Sequence, residues 1–152
     1  MYFAISDIVL ELIIFIKIIL LSYLHPMDYD SLCKQILNLD PKVRFAGICD
    51  DSGEIKYGGQ REGIKNLLSP EETNRSNLQA LARWGLRNVL ASKIGKGKYA
   101  MAEYEKIKRI TVPLENDHLL LVTTEVEADH IGIINNVLKL VQHSSDNYMS
   151  DA

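Results

Sequence analysis

The order in which apolar periods follow one another between Met27 and Val141 constrains this chain more than any other feature. A period near 3.6 residues marks a helix with one buried face, a period of two marks a half-buried strand, and a short unbroken apolar run marks a strand covered on both sides. By these rules the chain reads helix, two strands, long helix, three strands, helix. The first helix spans Asp28 to Leu39, with Tyr29, Leu32, Cys33, Ile36 and Leu37 on one face. Asp28 can cap its first turn. Asp40-Pro41 stops it, because a residue before proline avoids the helical region. Strands Val43 to Cys49 and Glu54 to Tyr57 follow, joined by Asp50-Asp51-Ser52-Gly53, a hairpin turn by composition. The paired aspartates lack the spacing and the closing acidic residue of a calcium loop.

The next segment, Gly58-Gly59-Gln60-Arg61-Glu62-Gly63, is rich in glycine. It lacks the pattern of a phosphate-binding loop and does not open a helix, so a flexible connection is expected. Ser69-Pro70-Glu71-Glu72 then predicts a helix start: a capping serine, proline at the first helical position, and a glutamate three residues after the cap. The helix is expected to continue to about Ile94, with Gly95 ending it. Leu78, Leu81, Ala82, Gly85, Leu86 and Val89 form its apolar stripe, with Trp84 just off it and Arg83 and Arg87 on a shared face; Trp84 either joins Arg87 in an interface or fills the edge of the core, with the arginines in solvent. Strands Tyr99 to Glu105, Ile107 to Val112 and His118 to Val126 follow. The last, HLLLVTTEV, is apolar enough to be central. A closing helix runs from Ala128 to Gln142, with Ile131, Ile134, Val137, Leu138 and Val141 inward. The polar tail 143–152 is expected to fray into disorder.

The first 26 residues differ from the rest. Thirteen of the 17 positions from Ile8 to Leu24 are Ile, Leu, Val or Phe. Lys17 near the middle of this run would cost about 2.5–3.5 kcal/mol in a bilayer, against a return of about 0.3–0.6 kcal/mol per apolar residue. With Glu11 also present, insertion is marginal. The run has no basic flank or small-residue cleavage site of a secretory signal. It admits three readings: upstream sequence ahead of a true start at Met27, a membrane anchor, or a partner-binding helix.

The formal net charge is −3 over 152 residues, which gives no basic excess for a dedicated nucleic-acid binder. Lys106, Lys108 and Arg109 near Tyr99 and Tyr104 could stack and pair with RNA, but the interleaved Glu103 and Glu105 dilute their field, and no nucleic-acid partner is expected. Cys33 and Cys49 lack CxxC spacing and read as small buried residues. Asp117-His118 and Asp129-His130 sit at opposite ends of the last strand, too far apart to share a metal. No nucleophile elbow or acid–base pair is visible, so no catalytic residue, cofactor or metal is assigned.

The element order αββαβββα with a central last strand predicts an α/β (α+β) fold. A five-stranded antiparallel sheet, order 2-1-5-4-3, has helices on both faces. The segments VRFAGICDDSGEIKYGG and NDHLLLVTTEVEADHIGIINNVLKLV resemble the corresponding segments of roadblock/LC7 domains of the profilin-like, longin-related group. The resemblance covers about residues 28–142 of a domain spanning 27–142. The block from YDSLCKQILNLDPKVRFAGICDDSGEIKYGG to KGKYAMAEYEKIKRITVPL also looks like an uncharacterised family of small proteins from ammonia-oxidising archaea, whose members begin near Met27. The roadblock resemblance implies a non-enzymatic, cytoplasmic homodimer that pairs through the long helix and offers a platform to a small GTPase or signalling partner. Arg83, Trp84, Leu86 and Arg87 are the expected interface residues. A second implication is a small-molecule-sensing, profilin- or PAS-like domain, with the loop 58–68, which holds Gly58, Gly59 and Arg61, as a lid over the ligand; an uncharacterised enzyme is the third reading. A membrane location follows only if residues 1–26 act as an anchor.

Overall fold

The structure, a computed structural model, describes residues 2–24 and 28–150, with side chains for 6–20 and 28–146. The described residues fall into two compact units: those up to Asp28 together with those from Val141 onward, and Tyr29–Leu140. In the first unit α1 (Tyr2–Leu24) is apolar nearly all round, and Ile8, Leu10 and Phe15 are among its exposed side chains. Among the described residues no helix is long and apolar enough to cross a membrane.

In the second unit α2 (Tyr29–Leu37) leads into β1 (Val43–Cys49) and β2 (Ile55–Gln60). Next come α3 (Pro70–Asn88), the single turn α4 (Ala91–Ile94), and β3 (Ala100–Glu103), β4 (Ile107–Pro113) and β5 (Leu119–Glu125). The last helix, α5 (His130–Ser150), continues into the first unit. The sheet has order β2-β1-β5-β4-β3, as the sequence predicts, and every neighbouring pair is antiparallel.

Alternation along β4 ties three layers together. Successive strand residues point to opposite faces. Lys108 therefore goes one way, donating to the Ala128 carbonyl (3.0 Å) and lying 2.9 Å from His130 Nδ1 at the start of α5. Arg109 goes the other way, to Ser76 and Asn77 of α3. On the Lys108 face lie Ile48, Leu120, Val122 and Thr124, all buried, with Tyr57 at the edge meeting Tyr29 of α2 at a ring distance of 5.3 Å. On the Arg109 face Cys49, Leu119 and Leu121 pack with Ala80 and Trp84 of α3.

The turns follow local chemistry. Gly53 takes φ +80° in the β1–β2 turn, where Ser52 N donates to Asp50 Oδ1 (2.9 Å). Asn116 and Asp117 both adopt positive φ in the β4–β5 turn, and their residue types tolerate it best after glycine.

Several boundaries differ from expectation. β2 extends to Gln60, so Gly58 and Gly59 lie in an edge strand rather than a flexible connection. The expected single helix to Ile94 ends at Asn88. There the chain tightens to three-residue hydrogen bonds, Val89 N to Leu86 O (3.3 Å) and Leu90 N to Arg87 O (3.1 Å). No side chain from Gly85 to Leu90 is buried, so packing does not hold that stretch to one straight axis. On α5, Ile131 is exposed and Ile133 is buried in its place. The helix also runs eight residues past Gln142, to Ser150, and residues 151–152 of the expected disordered tail lie outside the described residues. Ser145 Oγ donates back to Val141 O (3.1 Å) and Gln142 Nε2 to Asp146 Oδ1 (3.3 Å), which uses polar groups within the helix.

Candidate functional site

α3 begins as the sequence requires. Ser69 Oγ accepts from Glu72 N (3.2 Å), and Glu72 Oε2 accepts from Ser69 N (2.9 Å), so each satisfies an orphan donor of the first turn. The expected apolar stripe is displaced. Asn77, Ala80 and Trp84 are the buried residues of α3, whereas Leu78 is 43 % and Leu86 73 % exposed. A polar residue holds the inward position because both ends of its amide are paired. Asn77 Nδ2 donates to Gly53 O (3.0 Å) and its Oδ1 accepts from Arg109 Nη2 (2.7 Å). Arg109 Nη1 donates to Ser76 Oγ, and Asn74 reaches the Ser52 carbonyl at 3.3 Å.

Trp84 is a core residue, 4 % exposed, and its indole N–H donates to Thr111 Oγ1 at 2.9 Å. Of its two expected positions this is the core edge rather than an accessible interface. Arg83, Leu86 and Arg87 lie on the exposed side of α3, with the Arg87 guanidinium 4.9 Å from the Trp84 ring centre. The exposed apolar residues Leu86, Val89, Leu90 and Ile94 continue along the end of α3 into α4, from 53 % to 80 % exposed. This run escapes a reading that assigns every apolar residue of an amphipathic helix to the core.

The other expected group is differently employed. Gly58 has φ +75°, and a Cβ there would lie 2.2 Å from the Ala46 carbonyl oxygen and 2.8 Å from Cys33. The glycine is required for α2 to approach the sheet. Arg61 donates from Nε to Val43 O (2.7 Å) and from Nη2 to Asp40 O (3.0 Å) and Leu37 O. It thereby satisfies carbonyls at and beyond the end of α2. Of the expected lid segment 58–68, Gln60, Asn66, Leu67 and Leu68 line an open cleft, whereas Gly58, Gly59 and Arg61 are not among its lining residues. The cleft, of about 1060 Å³, lies between the first half of α3, this segment and the β3–β4 hairpin, with Phe45, Leu121, Thr123 and Arg109 as its floor.

The remaining candidates do not assemble. Lys108 and Arg109 point to opposite faces, so the basic run makes no common patch. His118 Nδ1 donates to the Asn116 carbonyl (2.9 Å), away from His130 beside Lys108. Burial, reinforced by Asp30, pushes the Cys33 thiol up to about 12, and burial with Asp50 pushes Cys49 up to about 11. Both thiols are therefore protonated and unreactive near neutrality. Among the described residues no group of three or more His, Cys, Asp or Glu could hold a metal ion.

Residues 23–150 match the family of unknown function DUF6659. The chain belongs to that family. This DUF6659 member has the fold of roadblock/LC7 domains. The roadblock/LC7 domain from Streptomyces avermitilis superposes with a TM-score of 0.59 at 17 % identity, over 80 % of this chain and 98 % of that one. The gliding protein MglB from Thermus thermophilus gives 0.60 at 13 %, over 80 % and 88 %. MglB from Myxococcus xanthus gives 0.58 at 11 %, over 82 % and 96 %. At these identities the likeness is one of fold. No curated protein sequence matches the chain.

Proposed function

We propose that this protein is a non-enzymatic interaction module of roadblock type that pairs with a second copy of itself through the outer side of α3 and α4. The observation that carries the proposal is the exposed apolar run Leu86, Val89, Leu90 and Ile94, flanked by Arg83 and Arg87. Large apolar side chains with arginine beside them suit an interface more than free surface. The roadblock-like fold supports the same reading. An isologous pair would bring the two runs together about a two-fold axis. The paired helices would then form a platform for a protein partner, with a small GTPase as the partner class that the resemblance implies. The protein acts in the cytoplasm in this reading, and its origin is archaeal. The interacting domain spans 27–142, with residues 1–26 an appendage. The compact unit Tyr29–Leu140 supports those limits.

The non-enzymatic reading rests on chemistry. The two thiols are held protonated by burial, and the two histidine–aspartate pairs of the sequence stay apart. Sedimentation velocity over a dilution series tests the pairing. The wild-type chain should sediment as a dimer that dissociates on dilution, and Leu86→Glu with Val89→Glu should sediment as a monomer with unchanged circular dichroism. Identical profiles for the two proteins would reject the surface.

A further inference from the structure

The cleft above β1, β5 and β4 contains a charge that the fold leaves without a counterion. Arg109 is mostly withdrawn from water, which pushes the pKa of its guanidinium below the ordinary arginine value, although it stays protonated at neutral pH. Its hydrogen bonds go to neutral oxygens, Ser76 Oγ and Asn77 Oδ1. No ion pair of Arg109 occurs among the described residues. Exposed Arg83 is a second positive charge close enough to lower the Arg109 pKa further, and the charged groups lining the cleft are accounted for. Arg44 pairs with Glu125 at 2.7 Å, Glu54 pairs with Lys56 at 3.0 Å, and Glu72 caps α3. Arg75, Glu105 and Lys106 lie exposed at the rim.

Around Arg109 the surface is apolar. Phe45 and Leu121 form the floor with Thr123, and Leu67 and Leu68 form a wall although they are 52 % and 44 % exposed. A withdrawn cation is stabilised by an anion that can meet its planar fork with two oxygens. An apolar floor of this size favours a ligand with an apolar body; small-molecule sites combine the same two features. The charge balance narrows the ligand further. There is one unneutralised withdrawn cation, and Glu72 already occupies the positive end of α3, so a monoanion fits better than a phosphate dianion.

We propose that this cleft binds a monocarboxylate with an apolar body, its carboxylate paired with Arg109. The site is separate from the outer surface of α3 and α4 offered for pairing, so either reading can fail without the other.

The test is titration of the full chain with octanoate and with 1-octanol, followed by amide chemical shifts. Octanoate should bind one molecule per chain and shift the amides of Arg109 and Thr123. The neutral alcohol should bind about tenfold or more weakly, a difference of the size expected for one charge-assisted pair. Arg109→Gln should reduce octanoate to the level of the alcohol and leave the alcohol unchanged. Leu67→Asp, in an exposed segment that carries no core packing, should weaken both ligands and so serves if Arg109→Gln does not fold. Equal affinity for the two ligands, undiminished octanoate binding by folded variants, or shifts confined to the apolar α1 would each overturn the proposal.

Discussion

Replacing Trp84 with alanine should destabilise the domain itself rather than dissociate a pair of domains. The indole is 4 % exposed and packs with Cys49, Ala80, Leu119 and Leu121. Truncating a tryptophan in such a setting costs about 3–5 kcal/mol, from lost burial and the cavity left behind. About 1 kcal/mol of that belongs to the hydrogen bond to Thr111 Oγ1, whose hydroxyl sits in a residue only 8 % exposed. The bond can be isolated. Trp84→Phe and Thr111→Val each remove it, and their double variant should show a coupling of about 1 kcal/mol. Urea denaturation followed by far-ultraviolet circular dichroism gives the free energies, and sedimentation at a concentration where the chain remains folded gives the association state. A Trp84→Ala protein as stable as wild type, or a cycle with no coupling, would refute the core assignment. Weakened association at full stability would return Trp84 to the surface.

Three further outcomes test the positions that shape the fold. Gly58→Ala combines a positive φ with a Cβ 2.2 Å from a backbone oxygen, and should lower unfolding free energy by about 3 kcal/mol or more; a change below about 1 kcal/mol in urea melts would contradict the close approach of α2. Arg61→Ala removes a charged donor from the carbonyls of Leu37, Asp40 and Val43, of which Asp40 keeps the Val43 N–H, and should cost about 1.5–3 kcal/mol in the same assay, whereas an unchanged midpoint would free Arg61 for some other role. The thiols predict an alkaline limit. Their folded values of about 12 for Cys33 and about 11 for Cys49 stand above the ordinary 9.0. The unfolded chain therefore ionises first. The contribution is complete below pH 9 and is lost as pH rises through the folded values. Stability measured from neutral to alkaline pH should fall less steeply in Cys33→Ala with Cys49→Ala than in wild type, and parallel curves would exclude the thiols as the cause.

The strands were readable because burial and alternation agree in them. β1 runs Val43–Cys49 as its apolar sequence predicts, and the unbroken LLLV of β5 marks the strand with a partner on each side. The capping box at Ser69 was readable because all of its elements are local. The helix faces were harder. Along α3 the inward position belongs to Asn77, which is satisfied only by Gly53 and Arg109, residues 24 and 32 positions away. Leucines at 78 and 86 point outward, so an apolar stripe drawn from the sequence turns the helix away from its true face. Arg61 misled in the opposite direction. Its position after two glycines suggests a ligand loop, but the carbonyls it serves become neighbours only after α2 and β1 fold against β2. The cleft follows from where α3 leaves the sheet uncovered, which no local pattern encodes.

The pairing of two copies through α3 and α4 is tested most directly by site-directed cross-linking. Cys33 and Cys49 are buried and protonated near neutrality, so they leave the background low for an introduced thiol. With Leu86→Cys or Val89→Cys, a short bismaleimide should link two full chains in high yield, because residues near a two-fold axis meet their own counterparts. Lys139→Cys, exposed on α5, should remain unlinked under the same conditions. Equal linking at all three positions, or linking at Lys139→Cys alone, would contradict the account.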